Sequence, residues 1–176
     1  MKTITQTVLL CLVGLCLTLP AVAATSLSEA SASETHGMQD LLSSYEAIRL
    51  SLLEDRWDGA DQAAVVHGAL EQLTADGFDP AAAGVAPENA AKAVELLTEM
   101  KPAGEALAGA EDLDSARAAF YELTKNLVLY RELMSGDKPA VAYCPMAKKS
   151  WLQPKGEIGN PYHGQSMPKC GRIVSE

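Results

Sequence analysis

Residues 112–134, DLDSARAAFYELTKNLVLYRELM, give the clearest indication of fold in this 176-residue sequence. Apolar and aromatic residues recur there at alternating spacings of four and three, at Ala116, Phe120, Leu123, Leu127, Tyr130 and Met134. That period places them along one side of an α-helix, in a seam long enough to pack against neighbouring helices. Asp112 or Asp114 is placed to cap the first turn, and Gly136 and Pro139 end the helix.

Three preceding segments have the same helical period. They are residues 38–55, residues 59–75, and a third segment that opens at Pro87 and is expected to kink or restart at Pro102. Their apolar stripes are formed by Leu41, Tyr45, Ile48 and Leu52, by Ala63, Val66, Leu70 and Leu73, and by Val94, Leu97 and Met100. Four amphipathic helices joined by short connections predict an all-α fold, an antiparallel up-down four-helix bundle over residues 38–136.

The amino-terminal residues have the features of a secretory signal. Residues 8–17 are almost continuously apolar, Pro20 follows this run, and Ala21-Val22-Ala23 forms a small-x-small cleavage site. The run is shorter than the roughly 20 residues of a membrane-spanning helix. The sequence therefore predicts a cleaved signal peptide over residues 1–23, export to the periplasm, and no membrane span after cleavage. We expect the polar residues 24–37 to form a flexible lead-in.

Composition and motifs exclude several classes of function. The formal net charge is −9, and an acidic chain is a poor nucleic-acid binder because neutralisation of phosphates dominates that affinity. The helical segments contain no nucleophile-and-base pattern, no phosphate-binding glycine loop, no HExxH and no paired Glu-x-x-His. The sequence therefore predicts a protein that is not an enzyme, with the bundle as a support.

The last part of the chain, residues 137–176, differs from the bundle in composition. Proline and glycine interrupt it repeatedly, which indicates turns. Between these turns, short extended segments are expected at residues 140–143, 150–152 and 172–174. We expect a small loop-rich module packed on the bundle. It contains Cys144 and Cys170, the two cysteines that remain after signal cleavage.

One interpretation of Cys144 and Cys170 is a structural disulfide. Two cysteines in an exported protein lie in a compartment where disulfides persist. Closing a loop of about 25 residues stabilises a fold by roughly 3–4 kcal/mol in the chain-entropy model. A module with so little apolar mass would need such help. On this interpretation the protein is a structural or interaction module.

The other interpretation is a metal site. Met146 lies two residues after Cys144, and Met167 lies three residues before Cys170, with His163 nearby. Thiolates and thioethers are soft donors that select Cu(I) or Ag(I). Zinc rarely uses methionine, although the two cysteines and the histidine could serve zinc with one open position. From the residues alone, the metal site and the disulfide are equally supported.

The tail also contains five short motifs in a fixed order. They are Tyr143-Cys144-Pro145-Met146-Ala147, Trp151-Leu152, Asn160-Pro161-Tyr162, Ser166-Met167 and Cys170-Gly171. In this set the tail resembles the C-terminal segment of the DUF3347 family of secreted bacterial proteins. Members of that family occur alone or fused to periplasmic adaptor subunits of heavy-metal efflux systems. The Cys-Pro-Met element is also similar to heavy-metal-binding segments of copper-handling proteins.

The resemblance implies that the protein handles copper or silver in the periplasm. It implies a metal site formed by Cys144, Met146, Met167 and Cys170. His163 departs from the family pattern and is an additional candidate ligand. The expected partner is a heavy-metal efflux adaptor or another periplasmic copper protein, and the expected role is to buffer the ion or hand it on. A thiol enzyme or metalloenzyme is the third and least supported alternative.

Overall fold

The computed structural model describes the backbone of residues 25–176 and the side chains of residues 37–176. The predicted signal peptide, residues 1–23, lies outside these described residues. The described chain forms four α-helices, α1 to α4, and three β-strands, β1 to β3. Their bounds are α1 Thr25–Leu53, α2 Ala60–Leu73, α3 Ala90–Ala108, α4 Leu113–Leu133, β1 Ala140–Cys144, β2 Lys149–Gln153 and β3 Arg172–Ser175.

Helix α1 begins earlier than the sequence suggested. It starts at Thr25 rather than near residue 38, so the segment predicted as a flexible lead-in is helical from Thr25 onward. The lead-in was predicted to be flexible because its sequence has no apolar stripe. Such a stripe indicates which face of a helix packs against the protein, and a helix can form without one. Alanine and glutamate in this segment are good helix formers and allow the helix to extend. Within the described residues, none of the helices combines the length and apolarity needed to cross a membrane.

Helix α4 has the seam that its sequence predicts, and its cap is Asp112. The Asp112 carboxylate accepts a hydrogen bond from the Ser115 backbone N–H at 2.7 Å. In return, the Ser115 hydroxyl accepts one from the Asp112 backbone N–H at 3.2 Å. This capping box satisfies donors that the first turn would otherwise leave unpaired. The seam residues Phe120 and Tyr130 are buried, as expected.

Helix α3 buries two of its three predicted core residues, Leu97 and Met100. The third, Val94, is 38% exposed. The buried face also includes Ala93 and Leu96, so it is turned toward these residues and away from Val94. Pro102 lies inside the helix, which continues without a break to Ala108.

The three strands form one antiparallel sheet in the order β2-β1-β3. The fold is therefore a mixed α/β structure, and the prediction of an all-α bundle with a loop-rich module was wrong. Strand β1 is central and is buried on both faces along most of its length, so it lacks the alternating pattern that identifies a half-buried strand. Its second partner, β3, is distant in sequence, and spacing alone does not reveal such a pairing.

Consecutive helices pack against each other, and β2 packs against α4 and α1. Leu152 of β2 is buried, and its backbone N–H donates to the Tyr45 hydroxyl at 3.1 Å. The Tyr45 oxygen lies 2.9 Å from the Thr124 hydroxyl, whose single hydrogen is donated to the Phe120 carbonyl. Tyr45 is therefore the donor to Thr124. This chain of hydrogen bonds joins α1, α4 and the sheet inside the core.

A buried arginine makes a second connection between α1 and the tail. Arg49 is 6% exposed, and its guanidinium makes a two-point contact with the Glu46 carboxylate at 2.6 and 2.7 Å. Its remaining Nη1 donates to the Gly159 carbonyl at 2.7 Å. A Cβ at position 159 would lie only 2.6 Å from this nitrogen. A side chain at position 159 would therefore displace the Arg49 guanidinium or bring it into a clash.

We predict that Arg49→Met destabilises the protein by roughly 2–4 kcal/mol, because the substitution leaves the Gly159 carbonyl and the Glu46 carboxylate without their partner. Urea unfolding followed by circular dichroism measures this difference. The matched control is Lys92→Met, which removes an ion pair to Glu95 whose two side chains are about half exposed and should change stability by less than about 1 kcal/mol. Equal stability of the two variants would contradict the proposed role of Arg49.

Candidate functional site

The sheet brings Cys144 and Cys170 together. Cys144 is the last residue of β1, and Cys170 lies two residues before β3. Tyr143 pairs with Arg172 in the antiparallel register. Cys144, which follows Tyr143, therefore lies beside the residues that precede Arg172, among them Cys170. The two sulfurs are 3.1 Å apart. This separation exceeds the S–S bond length of about 2.05 Å, so in this structure the two sulfurs are in contact without a disulfide bond.

Cys144 lies in an environment that stabilises negative charge on its sulfur. The side chain is fully buried, and the Ala147 backbone N–H in the hairpin turn points at the sulfur at 3.4 Å. Burial raises the pKa of Cys144, but hydrogen bonds from Ala147, Cys170, Met146 and Asn160 outweigh it and lower the pKa below its ordinary value. These hydrogen bonds therefore make Cys144 more acidic than an ordinary cysteine.

Cys170 has the opposite character. Its hydrogen bond to Cys144 raises the pKa of Cys170, with a smaller contribution from burial and from the negative charge of its neighbour. The Cys170 side chain is only partly buried. The pair is therefore asymmetric. Cys144 is fully buried and has a lowered pKa, whereas Cys170 is partly buried and has a raised pKa.

Asn160 organises the loop that leads to Cys170. This side chain is fully buried. Its Nδ2 donates to the Cys170 carbonyl at 2.7 Å, and its Oδ1 accepts from the backbone N–H groups of Tyr162 at 2.8 Å and His163 at 3.2 Å. Its own backbone N–H donates to the Pro168 carbonyl at 2.8 Å. One side chain thus holds both ends of the loop between Asn160 and Cys170.

The same loop is attached to the helices by charged groups. Arg117 of α4 donates from Nε to the Pro161 carbonyl at 2.8 Å and from Nη2 to Asp55 at 2.5 Å. The Gln165 backbone N–H donates to the other oxygen of Asp55 at 3.0 Å. The hydrogen bond from Arg117, followed by the one from Gln165, lowers the pKa of Asp55. These contacts fix the loop against the junction after α1.

Close packing also restricts the position after Cys170. Gly171 has a φ of 146°, and a Cβ there would lie 2.7 Å from Trp151 Cη2 and 3.1 Å from the Tyr143 carbonyl. The Trp151 ring is fully buried and meets the Tyr162 ring edge-on with centroids 6.1 Å apart. A side chain at position 171 would push Cys170 away from β1. Gly171 therefore allows the two sulfurs to meet.

The other three predicted ligands, Met146, Met167 and His163, differ in their exposure. Met146 follows Cys144 in the hairpin turn, and its side chain is 68% exposed. Met167 and His163 are partly buried. The Nε2 atom of His163 is buried and has no hydrogen-bond partner among the described residues. The described geometry thus brings together Cys144 and Cys170, and the roles of the other three remain predictions.

Across the part of the chain that the structure describes, no group of three or more His, Cys, Asp or Glu side chains is placed to hold a metal ion. A structural zinc site uses four such ligands. A site built on Cys144 and Cys170 would therefore be a two-thiolate site, with the sulfurs of Met146 or Met167 as additional soft donors.

Comparisons of this chain with protein-family models, with curated proteins and with solved structures found no match. The resemblance of the tail to the DUF3347 family therefore rests on its five quoted motifs.

Sequence reasoning placed Asn160 in a turn and in a motif, but it missed the central position of this residue. One of its contacts could have been predicted from the sequence. Asparagine in a turn commonly accepts a hydrogen bond from the backbone N–H two residues later, and Asn160 accepts such a bond from Tyr162. The contact with Cys170 depends on how the whole loop closes, and it has no local sequence signal.

We predict that Asn160→Ala lowers the free energy of unfolding by about 2–4 kcal/mol, because it leaves buried backbone groups unpaired. It should also increase amide hydrogen exchange at Tyr162 and His163, which mass spectrometry or NMR can measure. The control is Asn126→Ala on α4, where alanine is the better helix former and stability should not fall. Unchanged exchange at Tyr162 and His163 in Asn160→Ala would contradict the organising role of Asn160.

Proposed function

We propose that the protein binds a soft monovalent ion, Cu(I) or Ag(I), in the periplasm through the sulfurs of Cys144 and Cys170. It then buffers the ion or passes it to an efflux system. The observation that supports this proposal most directly is the contact of the two sulfurs at 3.1 Å, with the Cys144 sulfur buried and hydrogen-bonded.

The chemistry of the two sulfurs suits a soft ion. Thiolates are the preferred protein ligands of Cu(I), and metal binding requires deprotonated cysteines. Backbone N–H groups directed at the Cys144 sulfur favour its deprotonated form. When the ion binds, the protons of the two thiols are released. Because Cys144 ends β1 and Cys170 lies two residues before β3, the pairing of these strands holds the two sulfurs near each other before the ion arrives.

The exposure of the site suits exchange of the ion with a partner. Cys170 is partly exposed, and the Met146 side chain extends into solvent beside Cys144. A thioether is a weak soft donor that can take up an ion and release it again. The motif resemblance of the tail supports a heavy-metal efflux adaptor, or another periplasmic copper protein, as that partner.

The second candidate is a structural or interaction module in which Cys144 and Cys170 form a disulfide. The same short distance between the sulfurs favours it. In this role the bond would covalently fix the loop around Asn160 to β1, and the protein would have no metal-binding activity. The two candidates make opposite predictions about the thiols of the protein as it is isolated from cells.

We predict that the reduced protein competes for Cu(I) with a chromophoric chelator and takes up one ion. Cys144→Ser and Cys170→Ser should each weaken the affinity at least about 100-fold, because a hydroxyl is a poor ligand for a soft ion. Met146→Leu should have a smaller effect. The matched control is Met100→Leu in the bundle core, a volume-conserving change that should leave affinity unaltered.

Equal copper binding by wild type and Cys144→Ser would overturn the metal site. Mass spectrometry of protein isolated from the periplasm under acid quench decides the second candidate. A mass lower by two hydrogens, with the bond mapped to Cys144 and Cys170 and no copper binding after reduction, would establish the structural disulfide instead.

A further inference from the structure

Cys144 and Cys170 differ sharply in accessibility although their sulfurs touch. Cys144 belongs to the hydrophobic core and has no exposed surface. Cys170 is partly exposed, in the short segment between Pro168 and Gly171. An external reagent can therefore reach Cys170 and is excluded from Cys144, which is held 3.1 Å behind it.

From this arrangement we infer that the pair is a dithiol–disulfide couple that exchanges with external disulfides, reacting first at Cys170 and closing through Cys144. The class of substrate is a small-molecule disulfide such as glutathione disulfide, or an exposed disulfide of another protein. This activity uses the same two sulfurs as the proposed metal site, but it requires no metal.

The geometry supports the closing step. The sulfurs need to approach by only about 1 Å to form an S–S bond. The hydrogen bonds of Asn160 and the pairing of β1 with β3 already hold them at contact distance. Reactions between groups held in this way are faster than the same reactions between separate molecules by large factors. A mixed disulfide at Cys170 should therefore be short-lived.

The geometry also opposes attack by Cys144 on an external disulfide. Exchange requires the attacking sulfur to approach a disulfide sulfur directly. The core packing around Cys144 leaves no exposed surface for a molecule of that size. Reactivity of cysteines follows access as well as thiolate character, so access selects Cys170 as the first sulfur to react.

The reaction proceeds in two balanced steps. First, Cys170 loses its proton to solvent and its sulfur attacks one sulfur of the external disulfide RS–SR; that S–S bond breaks, RS⁻ leaves, and Cys170–S–SR forms. Second, Cys144 loses its proton to solvent and its sulfur attacks the Cys170 sulfur; the mixed disulfide breaks, and a second RS⁻ leaves. The cysteine pair is oxidised by two electrons, and RS–SR accepts both electrons and becomes two RS⁻, which take up two protons from solvent.

One consequence rests on the proposed function. A disulfide has no thiolate to offer a soft ion, so oxidation of the pair would release the bound Cu(I). Conversely, a bound ion would protect Cys170 from external disulfides. The site would then hold its ion under reducing conditions and release it under oxidising conditions.

The test uses the reduced, metal-free full chain with glutathione disulfide, followed by acid quench and peptide mapping, which separates Cys144 and Cys170 from Cys11 and Cys16. Wild type should form the Cys144–Cys170 disulfide with little accumulated adduct. Cys144→Ser should accumulate glutathione on Cys170. In Cys170→Ser, Cys144 should react with glutathione disulfide at least about ten-fold more slowly than Cys170 does in Cys144→Ser.

The inference is overturned if Cys144 in Cys170→Ser reacts as fast as Cys170 in Cys144→Ser, or if wild type accumulates a stable adduct without closing. Both variants are checked for folding by circular dichroism, and in urea their cysteines should react at similar rates. Should a variant fail to fold, pulsed alkylation of wild type decides the order, with Cys170 labelled before Cys144 expected. Because the experiment contains no metal, its failure is distinct from failure of copper binding.

Discussion

The buried side-chain amide of Asn160 is the contact on which the geometry of the tail depends. Its Oδ1 fixes the turn at Tyr162 and His163, and its Nδ2 holds the Cys170 carbonyl. These bonds convert a segment rich in proline and glycine into a defined loop, because unpaired buried polar groups are costly. The loop ends where β3 pairs with β1, and this places the Cys170 sulfur against the Cys144 sulfur.

The tail and the helices depend on each other. A three-stranded sheet of such short strands has little stability alone. Here its central strand is buried, and β2 packs against α4 and α1. Polar contacts inside this interface fix the alignment, from the Tyr45 hydroxyl to Leu152 and from Arg49 to Gly159. The helices therefore support the sheet whose central strand ends at Cys144.

The sequence allowed the helices to be predicted better than the fold class. The seam of α4 was visible because its apolar residues repeat at a helical period. In α3 the same period identified Leu97 and Met100 but wrongly placed Val94 in the core. The strand segments were recognised as extended but were not paired, since β1 lacks alternation and β3 lies far along the chain. Cys144 and Cys170 were identified as a pair by compartment and motif, but their unequal burial depends on tertiary packing.

The central claim is that the two cysteine sulfurs together hold a soft ion. X-ray absorption spectroscopy of the protein loaded with one equivalent of Cu(I) tests it most directly. Wild type should show the edge of Cu(I) and a first coordination shell with at least two sulfur atoms, and Cys170→Ser should show one sulfur fewer. A first shell of nitrogen and oxygen that Cys170→Ser leaves unchanged would mean that the two sulfurs do not hold the ion.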